Sequence, residues 1–308
     1  LEPKYISSVD SGNLAGHLIV LGNACREIIS GPVFAQQWTS GLMDTLALLQ
    51  DSVHPQTTQR RPLGPKQIQL DKAIEAFSET LINVPSNPMD IAQWFSNLVQ
   101  LADVVLTCAH ALGLKSGGSS ESQIIVWAEA LHTSILSHRS DFDLLMPWAN
   151  LPAPQIPLGK DSAALLGAVP SLIGMPGHCK SILRLIAMSG QGKRQDGLTP
   201  MTEALAKSAS AAQSMMERLS AIADRCKAMV DTMEFGFLYD SDRQLLSICY
   251  RAAENTSYGS FYDIFTSESC LGSFVTIVYV EMPYNHCIGF GATFTPIDGN
   301  ARWVIRSG

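Results

Sequence analysis

Residues 5–18 read Tyr5-Ile-Ser-Ser-Val-Asp-Ser-Gly-Asn-Leu-Ala-Gly-His-Leu18, a polar cluster that leads directly into a helical pattern. The apolar side chains that follow recur every three or four residues, a spacing that puts them on one face of a helix. They are Leu14, Leu18, Leu21, Cys25 and Ile28. Because Asp10 lies four residues before Leu14, it extends this stripe at the start of the helix, and we expect it to point inward.

Asp10 has two interpretations at this stage. A carboxylate that points inward beside the polar side chains of Ser11 and Asn13 would suit the binding of a polyhydroxylated ligand. Alternatively, Asp10 only caps the helix, because an aspartate at this position accepts hydrogen bonds from main-chain N–H groups. The spacing alone leaves both interpretations open.

The size and charge of the chain argue against one class of function. Its 308 residues suffice for one large domain or two ordinary domains with a hydrophobic core. Lysine and arginine total 21 against 28 aspartate and glutamate residues, which gives a net charge of -7. A nucleic-acid-binding protein would need a basic surface, so we predict no nucleic-acid partner. The chain begins at Leu1 rather than at a methionine, and we therefore expect a fragment of a longer protein.

The cysteines and the apolar segments indicate in which cellular compartment the chain lies. The seven cysteines form no Cys-x-x-Cys pair, and most lie in helical or strand-like segments. This distribution predicts reduced, buried thiols in a cytoplasmic setting. The sequence shows no signal peptide and no uninterrupted apolar run of membrane-spanning length, since the longest apolar segment, at 274–280, is too short.

Most of the chain has helical periodicity, so we predict a mainly α fold. The predicted helices cover about 11–29, 38–49, 66–84, 88–112, 124–145, 162–169, 179–188 and 199–233. Asn87 is the expected N-cap of the fourth helix, with Pro88 at its first position. A proline-rich connector at 151–157 and a polar loop at 189–197 separate the later helices.

The periodicity changes after the longest helix. Residues 235–250 alternate in the manner of two short strands around the turn 240–243, which predicts a hairpin. A further helix is predicted to begin at Ser260, with Leu271 and Val275 on its apolar side. From Met282 onward we predict no regular element.

Glu268 lies on the apolar side of that last predicted helix. A carboxylate cannot stay ionised in an apolar environment without a partner, and burial would favour its protonated form, as a general acid requires. The alternative is a structural ion pair, for example with Arg251. If the fold brings Asp10 and Glu268 together, the two carboxylates would resemble the pair of a glycosidase.

The other candidate motifs are incomplete. Glu129 and His132 form a single Glu-x-x-His, whereas a di-iron bundle needs two such copies and two more glutamates, so an exposed helix face is the better interpretation. Residues 190–193 lack the spacing and the hydroxyl residue of a phosphate-binding loop. The histidines show no metal-ligand spacing. We therefore predict no metal and no cofactor.

Several segments, in the same order along the chain, resemble the cyclic β-1,2-glucan synthases. They are Val9-Asp-Ser-Gly-Asn-Leu-Ala-Gly-His-Leu18; Trp127-Ala-Glu-Ala-Leu131 with Ser137-His138, Asp141 and Pro147-Trp148; Phe237-Leu-Tyr-Asp240 with Arg243, Leu246-Ser-Ile248 and Tyr250; Ser260, Tyr262, Asp263, Ser267-Glu268, Leu271 and Ser273-Phe274; and Thr295-Pro296 with Asp298-Gly299. The resemblance covers nearly the whole chain and is most specific at its two ends.

The resemblance implies a fold and a reaction. Residues 1–30 and 231–308 would form part of a glycoamylase-like (α/α)6 toroid, with a short β-hairpin, and residues 31–230 would be a helical insertion. In these synthases, this region closes linear β-1,2-glucan into a ring by retaining transglycosylation. A carboxylate attacks the anomeric carbon, and a sugar hydroxyl of the same chain, rather than water, intercepts the covalent intermediate.

The resemblance also implies site residues and partners. Asp10 and Glu268 would be catalytic, and Ser11, Asn13, Tyr239, Asp240 and Tyr262 would bind the sugar. The expected partners are a β-1,2-glucan chain and the remainder of a parent polypeptide. That parent would be associated with the inner membrane, with this segment as a soluble cytoplasmic part.

One segment departs from the family. Where these synthases usually carry His-Trp-Phe-Arg-Leu-Gly-Arg, this chain has His286-Cys-Ile-Gly-Phe-Gly-Ala292. The tryptophan and both arginines are missing, which weakens sugar stacking and carboxylate support there. This difference favours a second hypothesis, in which the chain is a non-catalytic helical scaffold that does not complete the sugar site.

Overall fold

The structure is a computed structural model. It describes residues 4–34, 37–54, 64–113, 119–152, 160–189, 199–257, 259–261, 270–278, 294–297 and 300–303. Helices dominate these residues, which confirms the predicted mainly α fold. The helices are α1 Ser8–Ser30, α2 Trp38–Val53, α3 Pro65–Ile82, α4 Pro88–Gly113, α5 Ser119–Leu145, α6 Lys160–Leu166, α7 Met175–Ser189, α8 Thr199–Asp231 and α9 Cys270–Val278.

The strands are short and lie mostly near the two ends of the chain. They are β1 Tyr5–Ser7, β2 Tyr239–Asp240, β3 Leu245–Leu246, β4 Cys249–Arg251, β5 Thr256–Ser257, β6 Phe294–Ile297 and β7 Asn300–Trp303. Two 3-10 turns, Pro147–Asn150 and Gly236–Leu238, complete the elements of the described residues.

The chain divides into two compact units. The terminal unit combines Leu1–Glu27 with Arg218–Gly308, and the central unit is Ile28–Glu217. Each unit holds buried apolar side chains of its own, so we describe the two separately.

The central unit is built from helices α2 to α5, which pack against one another. α3 contacts α2 and α4, and α5 contacts both α2 and α4. The largest fully buried side chains here include Phe77, Phe95, Leu42, Leu46, Leu49, Leu70, Ile74, Leu81, Ile91, Leu98 and Leu131. The rings of Trp38 and Phe95 stack with centroids 5.4 Å apart, and Trp94 and Phe142 meet the same phenylalanine. The 3.6-residue periodicity of the sequence therefore identified most of this core.

α4 begins as predicted. The Asn87 side-chain oxygen accepts a hydrogen bond from the Met89 N–H at 2.9 Å, so Asn87 is the N-cap. Among the described helices, α4 is also the one that is long and apolar enough to cross a membrane by length and composition. Its apolar run is interrupted by polar residues such as Gln93, Asn97 and Asp103, in agreement with the absence of an uninterrupted apolar run in the sequence. In this structure α4 buries Ile91, Phe95 and Leu98 in the central unit.

An arginine connects α5 to its neighbours. Arg139 donates hydrogen bonds to Asp143 Oδ2 at 2.7 Å, to Ser96 Oγ at 3.1 Å and to Asn150 Oδ1 at 2.7 Å, and also to the Ala92 carbonyl. The Asn150 amide donates in turn to Asp143 Oδ1 at 2.8 Å. This network holds α4, α5 and the turn Pro147–Asn150 together.

The terminal unit combines helices with small antiparallel sheets. β4 lies between β1 and β5, with Ile6 opposite Tyr250 and Ser7 opposite Cys249. β2 and β3 form the predicted hairpin, with Tyr239 opposite Leu246. The buried cluster of this unit consists of Ala15, Phe235, Leu238, Leu246 and Val275.

The predicted buried stripe of α1 is wrong. Leu14, Leu21 and Ile28 are 49%, 49% and 53% exposed, whereas Cys25 of the same stripe is buried. The other buried residues of α1 are small or lie at its start: Ser8, Val9, Gly12, Ala15, Gly16 and Gly22. The leucine spacing correctly indicated a helix, but small side chains allow closer packing and set which face is covered.

The last described strands are a second correction. No element was predicted beyond Met282, yet β6 and β7 form an antiparallel hairpin with Phe294 opposite Trp303 and Ile297 opposite Asn300. The signal was present in the sequence, because Asp298-Gly299 is a frequent two-residue hairpin connection. Each strand spans only four residues, too few to show a clear alternation in the sequence.

Candidate functional site

Asp10 lies in the first turn of α1, which begins at Ser8 rather than at the predicted Ser11. Its main-chain N–H donates to Ser7 Oγ at 3.2 Å, so Ser7 is the residue that caps the helix. The Asp10 side chain is exposed. Both predictions for Asp10, burial in the stripe and capping, are therefore wrong. Its negative charge is nevertheless favourable here, because the first turn of a helix carries a partial positive charge.

The start of α1 is held by the strand segment that leads into β4. The main-chain N–H and the hydroxyl of Ser8 both donate to the Ile248 carbonyl, each at 3.1 Å. Ser8 itself is buried. This double hydrogen bond fixes the turn that carries Asp10, while the Asp10 carboxylate stays accessible.

α9 packs closely on the same part of α1. A Cβ atom on Gly12 would overlap the Cα of Gly272 and lie 2.8 Å from its main-chain nitrogen. One turn later, a Cβ on Gly16 would lie 2.7 Å from the Leu271 side chain. The first turn of α9 therefore lies directly against the second and third turns of α1.

Ser11 and Asn13 share the start of α1 with Asp10, and both are half-buried. The main-chain oxygen of Asn13 accepts a hydrogen bond from His17 Nδ1 at 2.6 Å. The Asn13 side-chain amide and the Ser11 hydroxyl are the groups here that could hydrogen-bond a ligand.

Tyr239 and Asp240 lie in β2. Asp240 Oδ1 accepts hydrogen bonds from the N–H groups of Asp242 at 3.0 Å and Arg243 at 2.9 Å. One carboxylate oxygen of Asp240 thus stabilises the β2–β3 turn. Tyr239 is half-buried and packs against the buried cluster of the terminal unit, which includes Ala15 of α1 and Val275 of α9.

The structure brings part of the predicted site into one unit. Asp10, Ser11, Asn13, Tyr239 and Asp240 all belong to the terminal unit. Glu268 and Tyr262 lie outside the described residues, so their proximity to Asp10 stays a prediction.

A cleft in the terminal unit was not anticipated from the sequence. It has a volume of about 420 Å³ and lies between α1 and α8. Its lining comprises Leu18, Ile19, Gly22, Asn23, Arg26, Ala223, Cys226, Lys227 and Val230. None of the predicted site residues lines it. The available signal was the small size of Gly22 and Ala223, which leaves room between the two helices, but small residues also occur where helices simply pack closely.

The described residues contain no group of three or more histidine, cysteine, aspartate or glutamate side chains placed to hold a metal ion. The Glu129–His132 pair takes part in contacts between α4 and α5. His132 Nε2 lies 2.7 Å from Asp103 Oδ1, and His110 Nε2 lies 3.8 Å from Glu129 Oε1. These are interhelical pairs rather than two halves of a metal centre.

Two histidines of the central unit are affected by burial. Burial lowers the pKa of His138, whose ring lies 4.5 Å from that of Trp38, and nearby Asp141 partly opposes this shift. Burial also lowers the pKa of His178, against a hydrogen bond with the Leu165 main chain. Neither histidine belongs to the predicted sugar site, so we interpret both as structural.

Comparison with known proteins gives one informative match. No protein-family model matches the chain. The whole chain aligns over 311 positions, at 24% identity, with the cyclic beta-(1,2)-glucan synthase NdvB of Rhizobium meliloti. The chain spans 9% of the length of that protein. This confirms the resemblance that the motifs predicted, since the similarity extends along the full chain.

Proposed function

We propose that this chain is a glucan-processing segment of a cyclic β-1,2-glucan synthase and acts on linear β-1,2-glucan. The observation that carries the proposal is the alignment of the whole chain with a curated synthase of that name. The motifs at both ends of the chain add support, because residues 5–18 and 237–250 contribute to the same compact unit.

In this proposal the terminal unit is part of a glycoamylase-like (α/α)6 toroid, and the central unit is an insertion. The proposed toroid segments are residues 1–30 and 231–308. The division of the fold at Glu27 and Arg218 supports this arrangement, since both ends of the chain contribute to one unit while the middle forms its own. The many buried side chains of the central unit fit an insertion that folds around its own core.

The proposed reaction is a retaining transglycosylation that closes the glucan into a ring. Asp10 and Glu268 would supply the two carboxyl groups, one as nucleophile and one as general acid. Such a pair needs a separation of about 5 Å. The nucleophile attacks the anomeric carbon and displaces the leaving sugar, which takes a proton from the acid. A hydroxyl of the same glucan then attacks the intermediate and returns a proton to that residue.

The proposed substrate contacts come from three short segments. Ser11 and Asn13 would hydrogen-bond sugar hydroxyls from the first turns of α1. Tyr239 and Tyr262 would supply aromatic faces for sugar rings. The Asp240 carboxylate oxygen that is not used in the turn would accept a hydrogen bond from a sugar hydroxyl. The parent polypeptide would be associated with the inner membrane, with this segment on the cytoplasmic side.

A thermal melt with and without linear β-1,2-gluco-oligosaccharide tests substrate binding. A ligand that binds only the folded state stabilises it by about 2.7 kcal/mol at a hundredfold excess over its dissociation constant. We expect the midpoint to rise with this oligosaccharide and to stay unchanged with a β-1,4-linked control of equal length. An unchanged midpoint with both sugars would contradict the proposal.

The catalytic assignment is tested separately, in the full-length protein. Asp10→Asn and Glu268→Gln each replace a carboxylate by an amide of similar size. We expect each change to abolish ring closure while oligosaccharide binding persists. If cyclisation survives both substitutions, the assignment of the two carboxylates is wrong even though the binding result stands.

A second candidate function is a non-catalytic helical scaffold. Two observations favour it. The segment His286–Ala292 lacks the arginines and the tryptophan usual in the family, and Asp10 is not among the residues that line the cleft between α1 and α8. A scaffold would melt cooperatively at the same temperature with and without the oligosaccharide. It would also leave glucan cyclisation unaffected by Asp10→Asn.

A further inference from the structure

The start of α1 is fixed at three points around Asp10. β1, which leads into the helix, pairs with β4, and Ser8 donates two hydrogen bonds to the Ile248 carbonyl. The third point is the contact of Gly12 with Gly272 in α9. Asp10 lies between the second and third points along the chain.

The Gly12 contact leaves no room for a side chain. The atoms that a Cβ on Gly12 would meet are the main-chain Cα and nitrogen of Gly272. Main-chain atoms inside a helix cannot rotate away as the end of a side chain can. A side chain at position 12 would therefore force α1 and α9 apart. Because Asp10 lies two residues earlier in the same helix, its carboxylate would move with α1.

We infer that Gly12 is a positioning residue for the glucan site and acts through Asp10. This inference rests on the proposed function, because it takes Asp10 to be the group that reacts. Gly12 itself touches no substrate in this scheme. A displacement of about 1 Å in a reacting group lowers a rate by up to about a hundredfold, so the effect should fall on turnover rather than on substrate binding.

Gly16 provides a matched control on the same helix. A Cβ at Gly16 would meet the Leu271 side chain, at 2.7 Å from Cδ2, 3.0 Å from Cγ and 3.1 Å from Cδ1. Because Leu271 is partly exposed, we expect it to turn outward in Gly16→Ala and the main chain to stay in place. The two substitutions add the same single carbon, one turn apart, and differ in whether a main chain or a side chain must yield.

The experiment measures kcat, KM and the melting midpoint of the full protein with linear β-1,2-gluco-oligosaccharide as substrate. The variants are Gly12→Ala, Gly16→Ala and Phe235→Leu, the last of which loosens the neighbouring buried cluster but adds no atom at the Gly12–Gly272 contact. All rates are taken well below the lowest midpoint. We expect Gly12→Ala to lower kcat by at least about tenfold with KM within about threefold, and both controls to keep kcat within about twofold.

The outcomes separate this inference from the function on which it rests. A wild-type kcat in Gly12→Ala overturns the inference and leaves the proposed function intact. Equal losses in Gly12→Ala and Phe235→Leu also overturn it, since general destabilisation would then explain both. If the wild-type protein neither binds nor converts the oligosaccharide, the proposed function fails and this inference fails with it.

Discussion

The two units of this protein differ in the size of the buried clusters that their described residues form. The central unit surrounds large residues such as Phe77, Phe95 and Leu98 on all sides, and its aromatic rings contact one another. The described residues of the terminal unit form a small buried cluster around Phe235. Large apolar side chains are exposed in both units, for example Leu14 and Phe274 in the terminal unit and Ile82 and Met188 in the central unit. The units therefore differ in the size of the buried cluster, and the central unit has the packing of a self-contained helical domain.

The largest expected effect comes from making the same substitution in both cores. Phe95→Ala in the central unit should cost about 3–5 kcal/mol in free energy of unfolding, because it leaves a cavity in a tightly packed cluster. Phe235→Ala in the terminal unit should cost less, since fewer buried side chains surround it. Urea denaturation followed by tryptophan fluorescence and circular dichroism measures both. Four of the five tryptophans (Trp38, Trp94, Trp127 and Trp148) belong to the central unit and report on it.

If Phe95→Ala and Phe235→Ala lower the free energy of unfolding equally, the two units do not differ in how tightly they pack. A cost for Phe95→Ala below about 1 kcal/mol would show that the central cluster relaxes around the cavity, contrary to the packing described.

An intermediate effect is expected from acidification. Burial lowers the pKa of His178 below its ordinary value of 6.5, so the unfolded chain binds a proton more readily than the folded chain. The contribution of neutral His178 to the free energy of unfolding should be fully present above pH 6.5. It should be lost as the pH falls from there through the lowered pKa. Urea denaturation between pH 7.5 and pH 5 measures this slope. His178→Phe should make it shallower.

Wild-type protein measured under the same conditions is the reference for the acid effect. An identical slope in His178→Phe and wild type would mean that His178 does not contribute to acid sensitivity.

The smallest expected effect is a gain in stability at a glycine of the central unit. Gly41 lies inside α2, and a Cβ there would meet no atom within 4 Å. Gly41→Ala should therefore stabilise the protein by about 0.5–1 kcal/mol, because alanine loses less conformational entropy than glycine in a helix. Gly12→Ala in the terminal unit should destabilise instead. Denaturation of both variants under one set of conditions measures the difference, and a loss at Gly41 would contradict it.

Local sequence signals predicted the central unit well. Its helices, the Asn87 cap and the buried residues Leu42, Leu46 and Phe77 follow from periodicity and capping chemistry, which depend on neighbours within a few residues. The β2–β3 hairpin of the terminal unit was predicted for the same reason, since Asp240 stabilises its turn from within the turn itself.

The candidate site was predicted less well, because it depends on contacts between distant parts of the chain. The hydrogen bonds from Ser8 to Ile248 and the contact of Gly12 with Gly272 join residues more than 200 positions apart. No local pattern indicates such partners. The inward orientation assigned to Asp10 failed for this reason.

The sequence by itself determined that the chain is mainly helical, where most helices begin and end, and which synthase family it resembles. The tertiary structure alone decided which face of α1 is covered. The leucine stripe offers more apolar area, but Gly12, Ala15 and Gly16 let another helix approach at main-chain distance, and α9 packs there. Burial depends on which surfaces fit together as well as on how apolar they are, and that fit exists only in the folded chain.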